Sequence, residues 1–147
     1  MKILIDTHIF LWMLTSPEKL NDKRSYELKT PANEVFLSAM SIAELMIKHS
    51  IGKIHIDFDP LEMARKMRIE ILNFSGDHAM LLGQLPPHHK DPFDRMIIAQ
   101  SIVNRLPLMS DHPKFPAYNC KINAVDLTTK NDLSLVNISG CDMLGDN

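Results

Sequence analysis

The sequence is short of several things, and each shortage excludes something. Its two cysteines, Cys120 and Cys141, are too few for a disulfide framework or a zinc cluster. They read as reduced thiols, which fits a cytoplasmic protein. No apolar run approaches the roughly 18 residues that cross a bilayer, so no membrane role is expected. The opening stretch Met1 to Asp6 is charged too early and is too short to serve as a secretory signal. There is no excess of one charge: 16 Lys and Arg stand against 18 Asp and Glu, a formal net charge of −2. That excludes the crude basic signature of many nucleic-acid binders, but not a local basic rim around an acidic site. Internal repeats and low-complexity segments are absent as well. The 147 residues suffice for one domain with one substantial core, and the ten methionines offer adaptable packing, at an interface among other places.

What is present is an alternation of short apolar runs and helical patterns. Lys2 to Ile5 reads as a buried first strand, ended by Asp6. Thr7 can cap a short helix through Ile9, Phe10, Leu11, Trp12 and Met13. Ser16-Pro17-Glu18 predicts a second helix start, with the helix running to about Lys29. Val35 to Ser38 is a second buried strand. Ser41-Ile-Ala-Glu44 then matches a capping box, for a helix that Gly52 can end. Lys53 to Phe58 is expected as an exposed extended piece, and Pro60 opens a helix through Met67. Ile69 to Leu72 is a third strand, and Ser75 to His78 opens a helix through Leu82. Leu106 to Met109 is a fourth strand. Cys120 to Val125 is a last one, beyond a turn-rich segment from Asp111 to Tyr118. Such alternation predicts an α/β fold, a parallel sheet covered by helices on both faces. The pattern fades after Leu127. The domain is therefore drawn over residues 1–127, with 128–147 as a C-terminal extension, strand-like or loosely ordered.

The stretch His89-Lys-Asp-Pro-Phe-Asp-Arg-Met-Ile-Ile-Ala-Gln-Ser101 organises the rest. It reads as a loop entering a helix that ends near Asn104. Asp91 caps it, Pro92 suits the first helical position, and Asp94 falls in the first turn. Ile97, Ile98, Ile102 and Val103 supply a buried face. Asp94 is thereby fixed on rigid backbone, where a carboxylate serves either the helix end or a bound cation.

Open α/β sheets bind ligands beyond the carboxyl ends of their strands. Four acids fall at such places: Asp6 after the first strand, Glu44 one turn into the next helix, Asp94 in the central helix, and Asp111 after the fourth strand. Several unpaired carboxylates in one pocket repel one another and become tolerable around a divalent cation. Oxygen-only ligands favour magnesium or manganese over zinc. Such a site can activate water and hold a phosphodiester for in-line attack. Each acid also has a plain structural reading: Glu44 as the partner of Ser41 in a capping box, Asp94 at a helix N-terminus, Asp6 as a cap, Asp111 in a turn. The two roles coexist, since one carboxylate has several lone pairs. His88, His89, Lys90, Arg95, Lys48, His49 and Lys53 either line a phosphate-binding rim or are solvated surface residues.

Three motifs together resemble PIN-domain proteins, with the nearest likeness to the VapC-like toxins of bacterial toxin–antitoxin pairs. They are Ile-Leu-Ile-Asp6-Thr-His-Ile-Phe-Leu-Trp12, then Ser41-Ile-Ala-Glu44 with Lys48 and Gly52-Lys53, and His89-Lys-Asp-Pro-Phe-Asp94-Arg-Met-Ile-Ile-Ala-Gln100. The likeness covers roughly Met1 to Leu127. It implies a three-layer α/β/α sandwich with a central parallel sheet of four or five strands. It implies a Mg2+- or Mn2+-dependent ribonuclease with Asp6, Glu44 and Asp94 as metal ligands and Thr7 as the small polar residue beside the first acid. It also implies a homodimer and a cognate antitoxin protein. One departure stands out. Relatives carry Ser or Thr, one residue, then Asp, ahead of an aromatic or apolar residue and a Tyr. Phe115 and Tyr118 set that register here, and it puts His112 where the Asp belongs, with Asp111 one place earlier.

Two functions follow as expectations. The first is a toxin endoribonuclease in which Asp6, Glu44 and Asp94 hold the cation with help from Asp111, while Lys90 and Arg95 orient the RNA backbone. The second is a catalytically weak PIN-fold binding module that retains RNA or antitoxin contacts, motivated by His112. A phosphatase-like domain is disfavoured, because Asp6-Thr-His8 lacks the second nearby Asp that acid catalysis needs.

Overall fold

A computed structural model of the chain describes residues 1–86 and 91–110. Among the described residues four strands carry the fold: β1 (Lys2–Ile5), β2 (Glu34–Ser38), β3 (Ile69–Leu72) and β4 (Leu108–Met109). They form one sheet in the order β3-β2-β1-β4, and every pairing is parallel. Ile3 lies beside Val35, Ile5 beside Leu37 and Met109, and Val35 beside Ile69.

Successive side chains of a strand point to opposite faces, and the core divides accordingly. Ile3 and Ile5 join Ile9, Phe10, Leu45 and Ala64 in one cluster. Leu4 joins Leu81, Leu85, Ile97, Ile98 and Ile102 in another. One face is thus covered by α1 (Thr7–Thr15), α3 (Ala39–Ser50) and α4 (Pro60–Lys66), the other by α5 (Gly76–Leu81) and α6 (Pro92–Asn104). The helices α1 and α3 follow β1 and β2 directly, so each starts at the carboxyl edge of the sheet. Ile3, Leu4 and Ile5 are fully buried. Each contributes about 1.5–3 kcal/mol by leaving water, which pins the register of the central strand.

Buried polar groups tie α6 to the sheet. Gln100 is fully buried; its Oε1 accepts from the Ser38 hydroxyl at the end of β2. Its Nε2 donates to the carbonyls of Leu72 at 3.1 Å and Asn73 at 3.3 Å, at the end of β3. Without these bonds the amide would be buried unsatisfied, so α6 has one position along the sheet.

Four local expectations change. Ser16-Pro17-Glu18 does not open a long helix: Pro17–Lys19 is a single 3₁₀ turn, and α2 (Asp22–Lys29) starts afresh. Asn21 caps α2, accepting from Arg24 N at 2.8 Å, and a good N-cap there interrupts the chain's helical path. Asp6, not Thr7, caps α1. Ser41 and Glu44 do not form a capping box. Ser38 caps α3 by accepting from Met40 N at 2.9 Å, so the helix begins early and both residues sit inside it. Lys53 to Phe58 exposes Lys53, His55 and Asp57 but is not exposed throughout: Ile56 is buried, its N–H donating to His49 Nδ1 at 3.1 Å. Gly52 does end α3, at φ +77°, a left-handed conformation that strains any other residue. The Cys120–Val125 strand, the turn-rich segment Asp111–Tyr118 and the boundary after residue 127 lie outside the described residues. Among the described residues no helix is long and apolar enough to cross a membrane.

Candidate active site

Asp6 stands where β1 leaves the sheet. Its N–H still donates to Met109 O at 3.0 Å, so the residue is held between β1 and β4. Its side chain is 5% exposed. Oδ1 accepts from Ile9 N at 2.8 Å, and Oδ2 accepts from the hydroxyl of Ser110. Asp6 therefore caps α1 with one oxygen and presents the other toward the end of β4. Ser110 is fully buried, and its carbonyl accepts from Arg24 Nη2 at 2.9 Å, which brings α2 to the same edge.

Glu44 reaches the same end of the sheet from α3 and is 4% exposed. The Thr7 hydroxyl donates to its Oε1 at 2.7 Å and lies 2.9 Å from the Ser41 hydroxyl. Lys48 Nζ donates to Oε2 at 2.8 Å. Starting α3 at Ala39 turns Ser41 and Glu44 inward, toward the first residue of α1. A capping role would have left them at the helix end.

Asp94 lies in the first turn of α6. Asp91 caps that helix, its Oδ1 accepting from Asp94 N at 3.0 Å. The Asp94 carboxyl is pushed up from the ordinary 3.8 to about 7. Burial is the main cause, followed by the negative charges of Asp91, Glu44 and Asp6; Lys48 opposes them. Three carboxyls from three different elements thus share one electrostatic neighbourhood. They do not close into a ligand set: among the described residues no group of three or more His, Cys, Asp or Glu is arranged to hold a metal ion. The Asp6 and Glu44 oxygens are instead bonded to Ile9, Ser110, Thr7 and Lys48.

Arg95 faces elsewhere. Its guanidinium donates to Pro86 O at 3.0 Å, Leu82 O at 3.1 Å and Leu85 O at 3.3 Å. It thereby satisfies carbonyls beyond the end of α5, an arrangement that staples the turn and not one aimed at a phosphate. Lys90, His88, His89, Asp111 and His112 lie outside the described residues. Two residues near the acids had no assigned part in the sequence reading: Ser110 and Arg24. Ser110 occupies the Ser-or-Thr place, two residues before His112, in the register that Phe115 and Tyr118 set, which was a usable signal. Arg24 carries no local signal, since only the packing of α2 brings it there. A cavity of about 360 Å³ opens at the other end of the sheet, beside the starts of β2 and β3. Met13, Leu20, Leu28, Val35, Met67 and Arg68 line it, and no acid does. The size of a cavity does not locate the chemistry here.

The PIN domain family model matches residues 3–119, and the chain belongs to that family, whose members are nucleases. No curated protein sequence matches it significantly. The solved structures that share its fold include two toxin–antitoxin complexes. One is VapBC2 from Rickettsia felis bound to a DNA fragment from its promoter, with a TM-score of 0.57 and 18% identity over 76% of this chain and 89% of that one. The other is a toxin–antitoxin complex from Klebsiella pneumoniae, with a TM-score of 0.51 and 21% identity over 75% of this chain and 86% of that one.

Proposed function

We propose that this PIN-domain protein is a Mg2+- or Mn2+-dependent endoribonuclease, the toxin of a toxin–antitoxin pair, working in the cytoplasm as a homodimer restrained by a cognate antitoxin. The observation that carries the reading is that Asp6 after β1, Glu44 in α3 and Asp94 in the first turn of α6 come close enough at one end of the parallel sheet for the first two to raise the carboxyl of the third. Carboxyls crowded in this way gain most from a divalent cation, and their oxygen-only character suits magnesium or manganese. Asp6, Glu44 and Asp94 are the proposed ligands, with Asp111 as the fourth acid. A bound cation supplies activation of water and neutralisation of charge on the scissile phosphate.

The chain's own residues prepare that site. Thr7 fixes one Glu44 oxygen, and the Ser110 hydroxyl fixes one of Asp6. The clamp of Gln100 on β2 and β3 fixes α6, and with it Asp94. Asp6 and Glu44 are thereby held in place, and Asp94 rides on a helix with a fixed position on the sheet, which lowers the cost of assembling the site around an ion. RNA is the proposed substrate, and Lys90 is the basic residue proposed to meet its backbone. The test is cleavage of single-stranded RNA with Mg2+ or Mn2+ by wild type and by Asp6→Asn, at matched purity and folding. Loss in the variant supports the mechanism, and equal cleavage by both removes it.

One observation favours a second reading, a PIN-fold binding module with little turnover. His112 holds the place of the fourth acid in the motif register. Calorimetry with Mn2+ on wild type and His112→Asp separates the two. Binding by the wild type supports the enzyme, and binding by the variant alone supports the module.

A further inference from the structure

We propose that Lys48 is the site's built-in counter-ion: its ammonium occupies the place of the divalent cation, and metal binding exchanges one for the other. The inference rests on the metal-dependent reading above. Lys48 lies one turn beyond Glu44 on α3, and its Nζ donates to Glu44 Oε2 at 2.8 Å. The other Glu44 oxygen is taken by Thr7. The pair is lopsided: the Glu44 side chain is 6% exposed and that of Lys48 37%. An ordinary pair at this spacing has both partners in water and is loose and screened. Here the carboxylate has lost nearly all its water, and the Lys48 ammonium is the positive group held against it.

An ammonium held at hydrogen-bond distance from a buried carboxylate does part of the electrostatic task of a divalent ion among oxygen ligands. The two cations do not share the site, since an ammonium and a divalent ion a few ångströms apart repel strongly. The four-carbon stem lets the head move out to water without any shift of α3.

The experiment is calorimetric titration of the full chain with MnCl2, with melting of the metal-free protein beside it, for wild type, Lys48→Met, Lys48→Gln and Lys48→Arg. Removing the charge tightens Mn2+ binding by at least about tenfold, the repulsion between one unit charge and a divalent ion about 6 Å apart even at the dielectric of water. Lys48→Arg binds like wild type. Metal-free Lys48→Met melts lower, and its gain on adding Mn2+ is larger. Lys48→Gln serves in place of Lys48→Met if the latter does not fold. Weaker binding by the uncharged variants would mean that Lys48 orients Glu44 for the ion. Equal binding would make it a plain surface pair. Either result overturns the exchange. If the wild type itself binds no Mn2+, the metal-dependent reading falls and the exchange falls with it, a failure visible from the wild type alone.

Discussion

The hydroxyl of Thr7 donates to Glu44 Oε1 at 2.7 Å, joining the first residue of α1 to the interior of α3. Both residues are almost fully buried, and the bond bridges the carboxyl edges of two neighbouring strands. Leaving a buried carboxylate oxygen without its donor costs about 1–3 kcal/mol. Thr7→Val is therefore expected to lower the unfolding free energy by about that amount and to reduce cleavage, while Thr7→Ser retains most of both. Urea unfolding beside an RNA-cleavage assay checks it.

Asp6 has two duties, and two substitutions separate them. Asparagine keeps an oxygen for Ile9 N–H, so Asp6→Asn preserves the α1 cap while removing the charge. Asp6→Ala loses both, with a further stability cost of about 0.5–2 kcal/mol. Cleavage is expected to vanish in both variants, with a clear stability loss only in the alanine one. A cleavage-competent Asp6→Asn protein would strip this residue of its part in the chemistry.

The Asp94 carboxyl gives the metal-free protein a pH dependence of definite sign. Its folded value of about 7 lies above the ordinary 3.8, so between those limits the native state holds a proton that the unfolded chain has released. Stability is fully present below the lower limit, falls as pH rises toward 7, and levels off above it. Melting curves from pH 4 to 8 should show this decline, and Asp94→Asn should flatten it. Added Mn2+ should restore stability at the upper end, because the cation favours the ionised carboxyl. A profile that is level in the wild type, or identical in the variant, contradicts the assignment.

Gln100 tests whether the position of Asp94 depends on a distant clamp. Gln100→Leu keeps the bulk but strands the carbonyls of Leu72 and Asn73 and leaves the Ser38 hydroxyl without its acceptor. We expect a loss of about 2–4 kcal/mol from these unsatisfied groups. Where the protein remains folded, Mn2+ affinity should fall too, since α6 has lost its register on the sheet. Calorimetry below the melting transition reads both effects.

Arg95 is expected to behave as a structural residue. Arg95→Ala removes donors from the carbonyls of Leu82, Leu85 and Pro86. The melting temperature should drop, while RNA affinity of the folded protein stays near the wild-type value in a binding assay at fixed salt. A selective loss of RNA affinity with unchanged melting would return Arg95 to the substrate site.

Much of this was legible along the chain, because the signals were local. Lys2 to Ile5 reads as a strand because all but its first residue are apolar and buried. The helix Pro92–Asn104 follows from a capping Asp91, a proline at the first position and apolar residues at helical spacing. The carboxyl-edge positions of Asp6 and Glu44 then follow from strand–helix alternation, while that of Asp94 also depends on α5 and α6 following one another with no strand between them among the described residues. What the sequence could not decide was which polar groups meet across elements. Ser41-Ile-Ala-Glu44 has the spacing of a capping box, yet Ser38 takes the cap, and the same two side chains turn inward to meet Thr7. Arg24 reaches Ser110, and Ser110 reaches Asp6, across 86 and 104 positions of chain. Helix and strand propensity come from neighbours a few residues away. The partner of a buried carboxylate is chosen by whichever element packs over it, and only the folded sheet brings those elements together.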